Sequence, residues 1–391
     1  MTSTAAALSA VSTRENQFVV TGRALHSSRH EPRSPHALTM GKQVVMDASN
    51  NNATRERKRI DWLDWVRGVA AVSVMLHHFA EKLSPEYADF SRTYFDMGRA
   101  GVVAFFVASG FVIPLTYARQ RTDVFFVRRV TRLYPLYLLI LLITVLVQPQ
   151  GSWSDPRWWL EIALNATMLQ ELVIPSLVGV AWTLTIEWLF YYQQIGAKLI
   201  GVLEKSWVLA YAWTGVFVLM VIAEYVTGSS LPITIPCLLA AAFLGQAFSM
   251  WYFGSLGSRA FLTSLTIVIG VLAIASASRS SVEADVWPGP LYAISFVGGL
   301  AFVLVAYLLR NKLRLPWAVW LGSLSYAVYL VHSLLTELPD LTDSAPLKWV
   351  LAVVGIVGTV LISWFLHENL EQKFITWGRK YSPRQRNYSA P

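Results

Sequence analysis

The stretch WLDWVRGVAAVSVMLHHFA, residues 62–80, decides how the rest of the chain is read. It is long enough to cross a bilayer as an α-helix, because a helix rises 1.5 Å per residue and a hydrocarbon core of about 30 Å needs roughly 20 residues. Similar apolar runs recur to residue 366, and the sequence therefore predicts an all-α, polytopic membrane bundle of about ten transmembrane helices. The further predicted spans lie near 98–118, 133–149, 179–197, 207–226, 235–253, 261–278, 289–309, 317–336 and 348–366.

The composition excludes a soluble fold. Of the 391 residues, 54% are hydrophobic and only 14% are charged, whereas soluble domains carry about 25% charged residues. The net charge of +8 comes with basic residues in short loops between apolar runs, which favours membrane topology over nucleic-acid binding. The single cysteine, Cys237, excludes a disulfide framework and a cysteine-based metal site, and we expect no metal.

Basic loops alternate with neutral or acidic loops along the chain. The basic segments are 55–59, 119–132, 198–205 and 310–314. Because positive loops stay on the cytoplasmic side, this alternation places both termini in the cytoplasm and the protein in the inner (plasma) membrane as a multi-pass protein.

The chain divides into three parts by composition. Residues 1–59 are polar and predict a disordered cytosolic tail, 60–370 form the transmembrane domain, and 371–391 form a basic cytosolic tail. The apolar stretch 158–173 would break the loop parity if it crossed the membrane, and we expect it to be interfacial or re-entrant. It contains Glu161, Asn165 and Gln170.

The first span carries four ionisable residues: Asp64, Arg67, His77 and His78. Arg67 and His78 are eleven residues apart, which places them within about 20° of one helix face and about 16 Å apart along the axis. One interpretation is a polar channel with a cationic entrance and a deeper imidazole that is suited to general-base catalysis. The other is that Asp64 pairs with Arg67 near the interface and His78 caps the far end.

Arginines and small residues occur in the second and third spans. Arg129 and Arg132 lie one helical turn apart and can bind one anionic group together, although a purely topological role explains them equally well. Ser109 lies between Gly101 and Gly110 on a face where close helix packing is as good an explanation as catalysis.

Two later spans also carry polar residues. Glu187 lies mid-span, with Trp182 and Tyr191 nearby, and a buried carboxylate needs a partner such as histidine or arginine from another span. Helical spacing places three further polar residues on one face, where an interfacial histidine with aromatic belt residues is the simpler interpretation. These three are Ser325, Tyr329 and His332.

Five short motifs occur in order between residues 63 and 332. They are LDWVRGVAA with an Arg-x10-His spacing, FFVASGF, RRVTRLYPLY, WTLTIEWLFY and SYAVYLVH, which begin at Leu63, Phe105, Arg128, Trp182 and Ser325. Together they resemble the acyltransferase-3 family of bacterial integral membrane O-acyltransferases. Thr183 stands where the family usually has serine.

The resemblance implies a function and a set of roles. The family uses acyl-CoA, usually acetyl-CoA, as a co-substrate to acylate hydroxyl groups of saccharides or lipid-linked saccharides, with no tightly bound cofactor. On this basis His78 is the catalytic base, Glu187 orients it, and Arg67, Arg129 and Arg132 bind the CoA phosphates. The alternatives are a secondary transporter or a non-catalytic membrane protein that uses the same intramembrane residues. Further site candidates are Asp64, Ser109, Trp182, Tyr191, Ser325, Tyr329 and His332.

Overall fold

The structure is a computed structural model, and it describes residues 60–147, 151–229, 231–277, 289–312 and 315–381. The tail predicted at 1–59 and the last ten residues of the tail predicted at 371–391 lie outside these residues.

Ten long and three short α-helices, together with three 3₁₀ segments and one π-helical turn, carry the described residues, and no strand occurs among them. The long helices are α1 Asp61–Leu83, α3 Met97–Ala118, α4 Thr122–Val147, α6 Trp182–Leu199, α7 Leu209–Thr227, α8 Thr234–Tyr252, α9 Ser258–Ala277, α10 Gly289–Leu309, α11 Pro316–Leu335 and α12 Ala345–Leu366. The short helices are α2 Pro85–Thr93, α5 Pro156–Ala166 and α13 Gln372–Tyr381.

Eight of the long helices in the described residues are long and apolar enough to cross a membrane. The other two, α1 and α6, carry ionisable and amide side chains that lower their hydropathy. The prediction of a polytopic helical membrane bundle is confirmed. The orientation of the bundle in the membrane stays a prediction.

Glycines bring the central helices into close contact. A Cβ added at Gly68 would collide with the backbone of α11, and one added at Gly110 would collide with the carbonyl oxygen of Ala242 on α8. Gly101 likewise faces the backbone of α1. Small residues allow such backbone approach between membrane helices, and the packing interpretation of the glycines around Ser109 therefore agrees with the structure.

The segment after α4 enters the bundle and turns back. Its helix α5 has 11 residues, about 16 Å of rise, which is half of what a membrane span needs. The Tyr134 hydroxyl donates to the carbonyl of Thr167 at 3.0 Å, and the Tyr137 hydroxyl donates to that of Asn165 at 2.8 Å. Since both tyrosines lie halfway along α4, the segment reaches the middle of that helix, which is the geometry expected of a re-entrant segment.

The beginning of the tail predicted at 371–391 is helical. Helix α13 packs against α4, and a Cβ added at Gly378 would collide with the side chain of Thr131. One π-helical turn links α12 to α13, and it holds the His367 ring 2.8 Å from the carboxylate of Glu371.

Candidate active site

The inner face of α1 borders two cavities that meet. The smaller cavity, about 20 Å³, is lined mostly by apolar side chains such as Ala70 and Phe105. The larger cavity, about 590 Å³, lies toward the C-terminal end of α1. Val74, Val102 and Tyr329 border both cavities. From Ala70 to His78, this face of α1 therefore borders a passage formed by the two cavities, which is narrow and mainly apolar at the Ala70 end, rather than the polar channel that the sequence suggested. Arg67 lies one turn before Ala70 and lines neither cavity.

Three arginines, Arg67, Arg129 and Arg132, form what we call the arginine cluster. The Arg67 guanidinium lies 5.2 Å from the centre of the Phe105 ring. Arg129 lies 5.0 Å from the ring of Phe125 and 5.1 Å from that of Tyr191. Arg132 is close enough to Arg67 to repel it electrostatically.

No member of the arginine cluster makes an ion pair among the described residues, although two carboxylates lie near enough to attract Arg67 electrostatically. The Nε atom of Arg67 is buried without a hydrogen-bond partner. Buried cations need a counter-charge, and aromatic faces supply only part of it. The cluster is therefore suited to bind an anion.

Glu187 lies between the arginine cluster and the smaller cavity. Its carboxylate accepts a hydrogen bond from the Tyr191 hydroxyl, and it attracts Arg67 electrostatically. In the described part of the chain it makes no hydrogen bond or ion pair with His78. The contact that we expected between Glu187 and His78 is not formed, because the two side chains lie toward opposite ends of the passage.

Two imidazoles, His78 and His332, form what we call the histidine pair at the larger cavity. Their rings are nearly parallel, at 14°, with centroids 5.5 Å apart. His332 is fully buried, and its Nδ1 lies 3.0 Å from the Val328 carbonyl. Because a carbonyl only accepts, Nδ1 carries the proton. The Nε2 atom of the neutral ring then has a free lone pair, and it has no partner.

His78 has a carboxylate neighbour that the sequence analysis missed. Oε2 of Glu81 lies 3.6 Å from Nδ1 of His78 and 3.3 Å from Nε2 of His77. The signal was present in the sequence, since Glu81 follows the histidines at i+3 and i+4, the spacings at which helical side chains meet.

The two adjacent histidines have different surroundings. The side chain of His77 is 5% exposed and that of His78 is 41% exposed. His77 is held by Asp96 at 3.3 Å and by the Tyr87 hydroxyl at 3.2 Å. His78 is the more accessible imidazole, in agreement with the spacing that selected it.

Comparison with known proteins gives the family. Residues 60–368 match the acyltransferase domain that defines the acyltransferase-3 family. The chain belongs to the acyltransferase-3 family. It is also 30% identical over 281 residues to the exopolysaccharide production protein ExoZ of Rhizobium meliloti strain 1021, an alignment that covers 66% of this chain and 80% of ExoZ. The protein is therefore a membrane acyltransferase that transfers groups other than amino-acyl groups.

Only some of the remaining candidate residues border the two cavities of this acyltransferase. Trp182 borders the larger cavity, and the Tyr329 hydroxyl lies 3.0 Å from that of Thr183 at the junction of the cavities. Ser109 and Ser325 border neither cavity, and the Ser325 hydroxyl donates to the Gly322 carbonyl of its own helix. Asp64 lies near enough to Arg67 to attract it electrostatically.

Proposed function

We propose that this acyltransferase moves an acyl group, in the first instance acetyl, from acyl-CoA to a hydroxyl group of a saccharide at the inner membrane. The observation that carries the proposal is the arrangement along α1. An arginine cluster that makes no ion pair in the described chain lies near Glu187, which borders the smaller cavity, and a pair of imidazoles borders the larger cavity.

The donor fits the arginine cluster and the passage together. Guanidinium groups bind phosphate through two parallel hydrogen bonds, and CoA carries several phosphates. Arg67 and His78 are separated by about 16 Å along the helix axis. The long, thin arm of CoA would lie along this face of α1 between them, and it would bring the thioester to His78.

The chemistry at His78 is a proton transfer coupled to acyl transfer. His78 takes the proton from the acceptor hydroxyl as that oxygen attacks the thioester carbonyl. The carbon–sulfur bond breaks, and the departing CoA thiolate receives the proton from the imidazolium. A two-step route, in which His78 first carries the acyl group and the hydroxyl then removes it, uses the same residue.

The acceptor proposal rests on the larger cavity and on the name of ExoZ. The cavity of about 590 Å³ combines aromatic surface at Trp182 and Tyr329 with charged groups of both signs. Aromatic faces and hydrogen-bonding groups together suit an uncharged sugar ring. ExoZ is described as an exopolysaccharide production protein, which favours a saccharide.

Acetyl transfer in proteoliposomes tests the function. The purified full-length protein receives labelled acetyl-CoA and alkali-deacetylated exopolysaccharide, and we expect alkali-labile label on the polysaccharide together with an equal release of CoA. If intact labelled acetyl-CoA accumulates inside the vesicles instead, the protein is a transporter. If the protein neither transfers label to the polysaccharide nor releases CoA, the acyltransferase mechanism proposed here is rejected.

The side of the membrane on which the donor binds is a separate prediction. We expect the arginine cluster on the cytoplasmic side, because the basic loops lie toward that end of the helices. Reporter fusions after Lys205 and after Arg314 should both report a cytoplasmic location. A periplasmic signal at either position contradicts the predicted topology.

A further inference from the structure

The carboxylate of Glu81 is held from two sides. Ser91 Oγ donates to Oε1 at 3.1 Å, and Nε2 of His77 lies 3.3 Å from Oε2. The same Oε2 lies 3.6 Å from Nδ1 of His78. One fixed carboxylate therefore links the two adjacent histidines, and its position does not depend on a substrate.

His77 is itself fixed by groups from α2 and from the start of α3. Asp96 Oδ1 lies 3.3 Å from its Nε2, and Asp96 Oδ2 is bound by Nε of Arg99 at 2.8 Å. Burial, with the carboxylates of Asp96 and Glu81 nearby, raises the pKa of the Tyr87 phenol, and the phenol therefore keeps its proton. The hydroxyl can then donate to Nδ1 of His77, which leaves the Nε2–H of His77 directed at the carboxylates.

We propose that Glu81 is the positioning carboxylate of this active site and that His77 acts through it. The carboxylate favours the tautomer of His78 with its proton on Nδ1, so that the Nε2 lone pair is free for the acceptor hydroxyl. When Nε2 takes the hydroxyl proton, the negative charge of Glu81 stabilises the imidazolium, as the aspartate does in a serine-protease triad. The inference rests on the proposed function, because it assigns a role within that acyl transfer.

The 3.6 Å separation is an ion-pair distance rather than a hydrogen bond. Catalytic hydrogen bonds are often long in unliganded enzymes and shorten when substrate binds. The other group that faces His78 across the helix contact is His332 on α11, which is not a carboxylate. Glu81 is thus the carboxylate placed to stabilise a protonated His78 among the described residues.

A metal ion is the rival explanation of the same side chains. The ligand atoms of His77, His78 and Glu81 lie within 4.8 Å of one another. Several of the surrounding groups are already engaged, however: Ser91 binds one oxygen of Glu81, Arg99 binds Asp96, and Tyr87 contacts His77. The network engages these groups without a metal ion.

The test compares carboxylate variants in the proteoliposome assay with labelled acetyl-CoA and alkali-deacetylated exopolysaccharide. We expect Glu81→Gln to lower kcat by at least about tenfold, since a charge-assisted contact is lost, with the KM for acetyl-CoA unchanged. Glu81→Asp keeps the charge and should recover part of the rate. The control is Glu86→Gln, which changes an exposed carboxylate of α2 and should behave as the wild type.

Each contrary result has a distinct meaning. Wild-type kcat in a folded Glu81→Gln protein overturns the inference and leaves the proposed function standing. A wild type that transfers nothing rejects both. If Glu81→Gln does not fold, Ser91→Ala, which removes one support of the carboxylate, should still lower kcat, and an unchanged rate overturns the inference. Activity that is lost on chelation and restored by Zn²⁺ overturns it in favour of a metal site.

Discussion

The two ends of the passage along α1 hold charge in opposite ways. In the arginine cluster the described residues supply aromatic faces and two nearby carboxylates, Asp64 and Glu187, but no ion pair, so part of the cationic charge is left for a ligand. Around His77 and His78, cations and carboxylates are already interlocked. One end is arranged to receive an anion, whereas the other is assembled in advance for proton transfer. Because donor binding and proton transfer use different residues, substitutions in the arginine cluster should change KM and substitutions at the histidines should change kcat.

The largest effect is expected at His78. Because His78→Ala removes the group that takes the hydroxyl proton, kcat for acetyl transfer should fall by about 10²- to 10⁴-fold. Binding of acetyl-CoA should be nearly unchanged, since the arginine cluster is intact. Kinetics and a binding assay on the same purified variant check both statements. A His78→Ala enzyme with substantial turnover would contradict the assignment of the chemistry to this end.

The second largest effect is expected in the arginine cluster, where a substitution should weaken the binding of acyl-CoA. Loss of one charge-assisted phosphate contact, worth about 1.5 to 3 kcal/mol, should raise the KM for acyl-CoA roughly 10- to 150-fold in Arg132→Ala. Lysine keeps the charge but loses the planar fork, so Arg132→Lys should recover only part of that loss. Arg121→Lys, at an exposed arginine that pairs with Asp123, is the matched control.

If Arg132 only sets the membrane topology, a different result is expected for Arg132→Lys. The positive-inside rule depends on charge alone, and lysine would then serve as well as arginine. Full wild-type kinetics in Arg132→Lys, with topology verified, would show that the cluster does not grip phosphate.

The smallest effect is expected at His332, whose free Nε2 borders the acceptor cavity. His332→Phe keeps a flat ring against His78 but removes the hydrogen-bond acceptor. A neutral hydrogen bond contributes about 0.5 to 1.5 kcal/mol. The KM for deacetylated polysaccharide should therefore rise by a few-fold to about tenfold, while the KM for acetyl-CoA stays the same. If only the KM for acetyl-CoA changes, His332 contacts the acyl donor and not the acceptor.

The sequence predicted the features that depend on one helix or on composition. The helical period alone places Arg67 and His78 on one face of α1, and the two cavities border α1 from Ala70 to the histidines. Loop parity indicated that 158–173 does not cross, and α5 is too short to do so as a helix. Both inferences need only the rise and the period of a helix.

Features that depend on how helices meet were not accessible from the pattern. The predicted contact of Glu187 with His78 assumed that the two side chains lie at the same depth in the membrane. Instead, Glu187 on α6 binds the Tyr191 hydroxyl and lies near enough to attract Arg67 electrostatically. The contact between His77 and Asp96 joins α1 to the beginning of α3, and no sequence spacing encodes that distance. Glu81 could have been found, since it lies on the same helix as the histidines that it contacts.

The polar face of α1 also has a consequence for how the protein is made. Each ionisable residue near the middle of an isolated span costs about 2.5 to 3.5 kcal/mol on insertion, and α1 is not among the helices apolar enough to be recognised as spans by hydropathy. The partners that shelter this face include α11, which is synthesised more than 200 residues later. During translation α1 therefore remains an incompletely stabilised segment that later helices must secure. A ribosome that stops before α11 would leave a nascent chain whose catalytic helix is exposed to quality-control proteases.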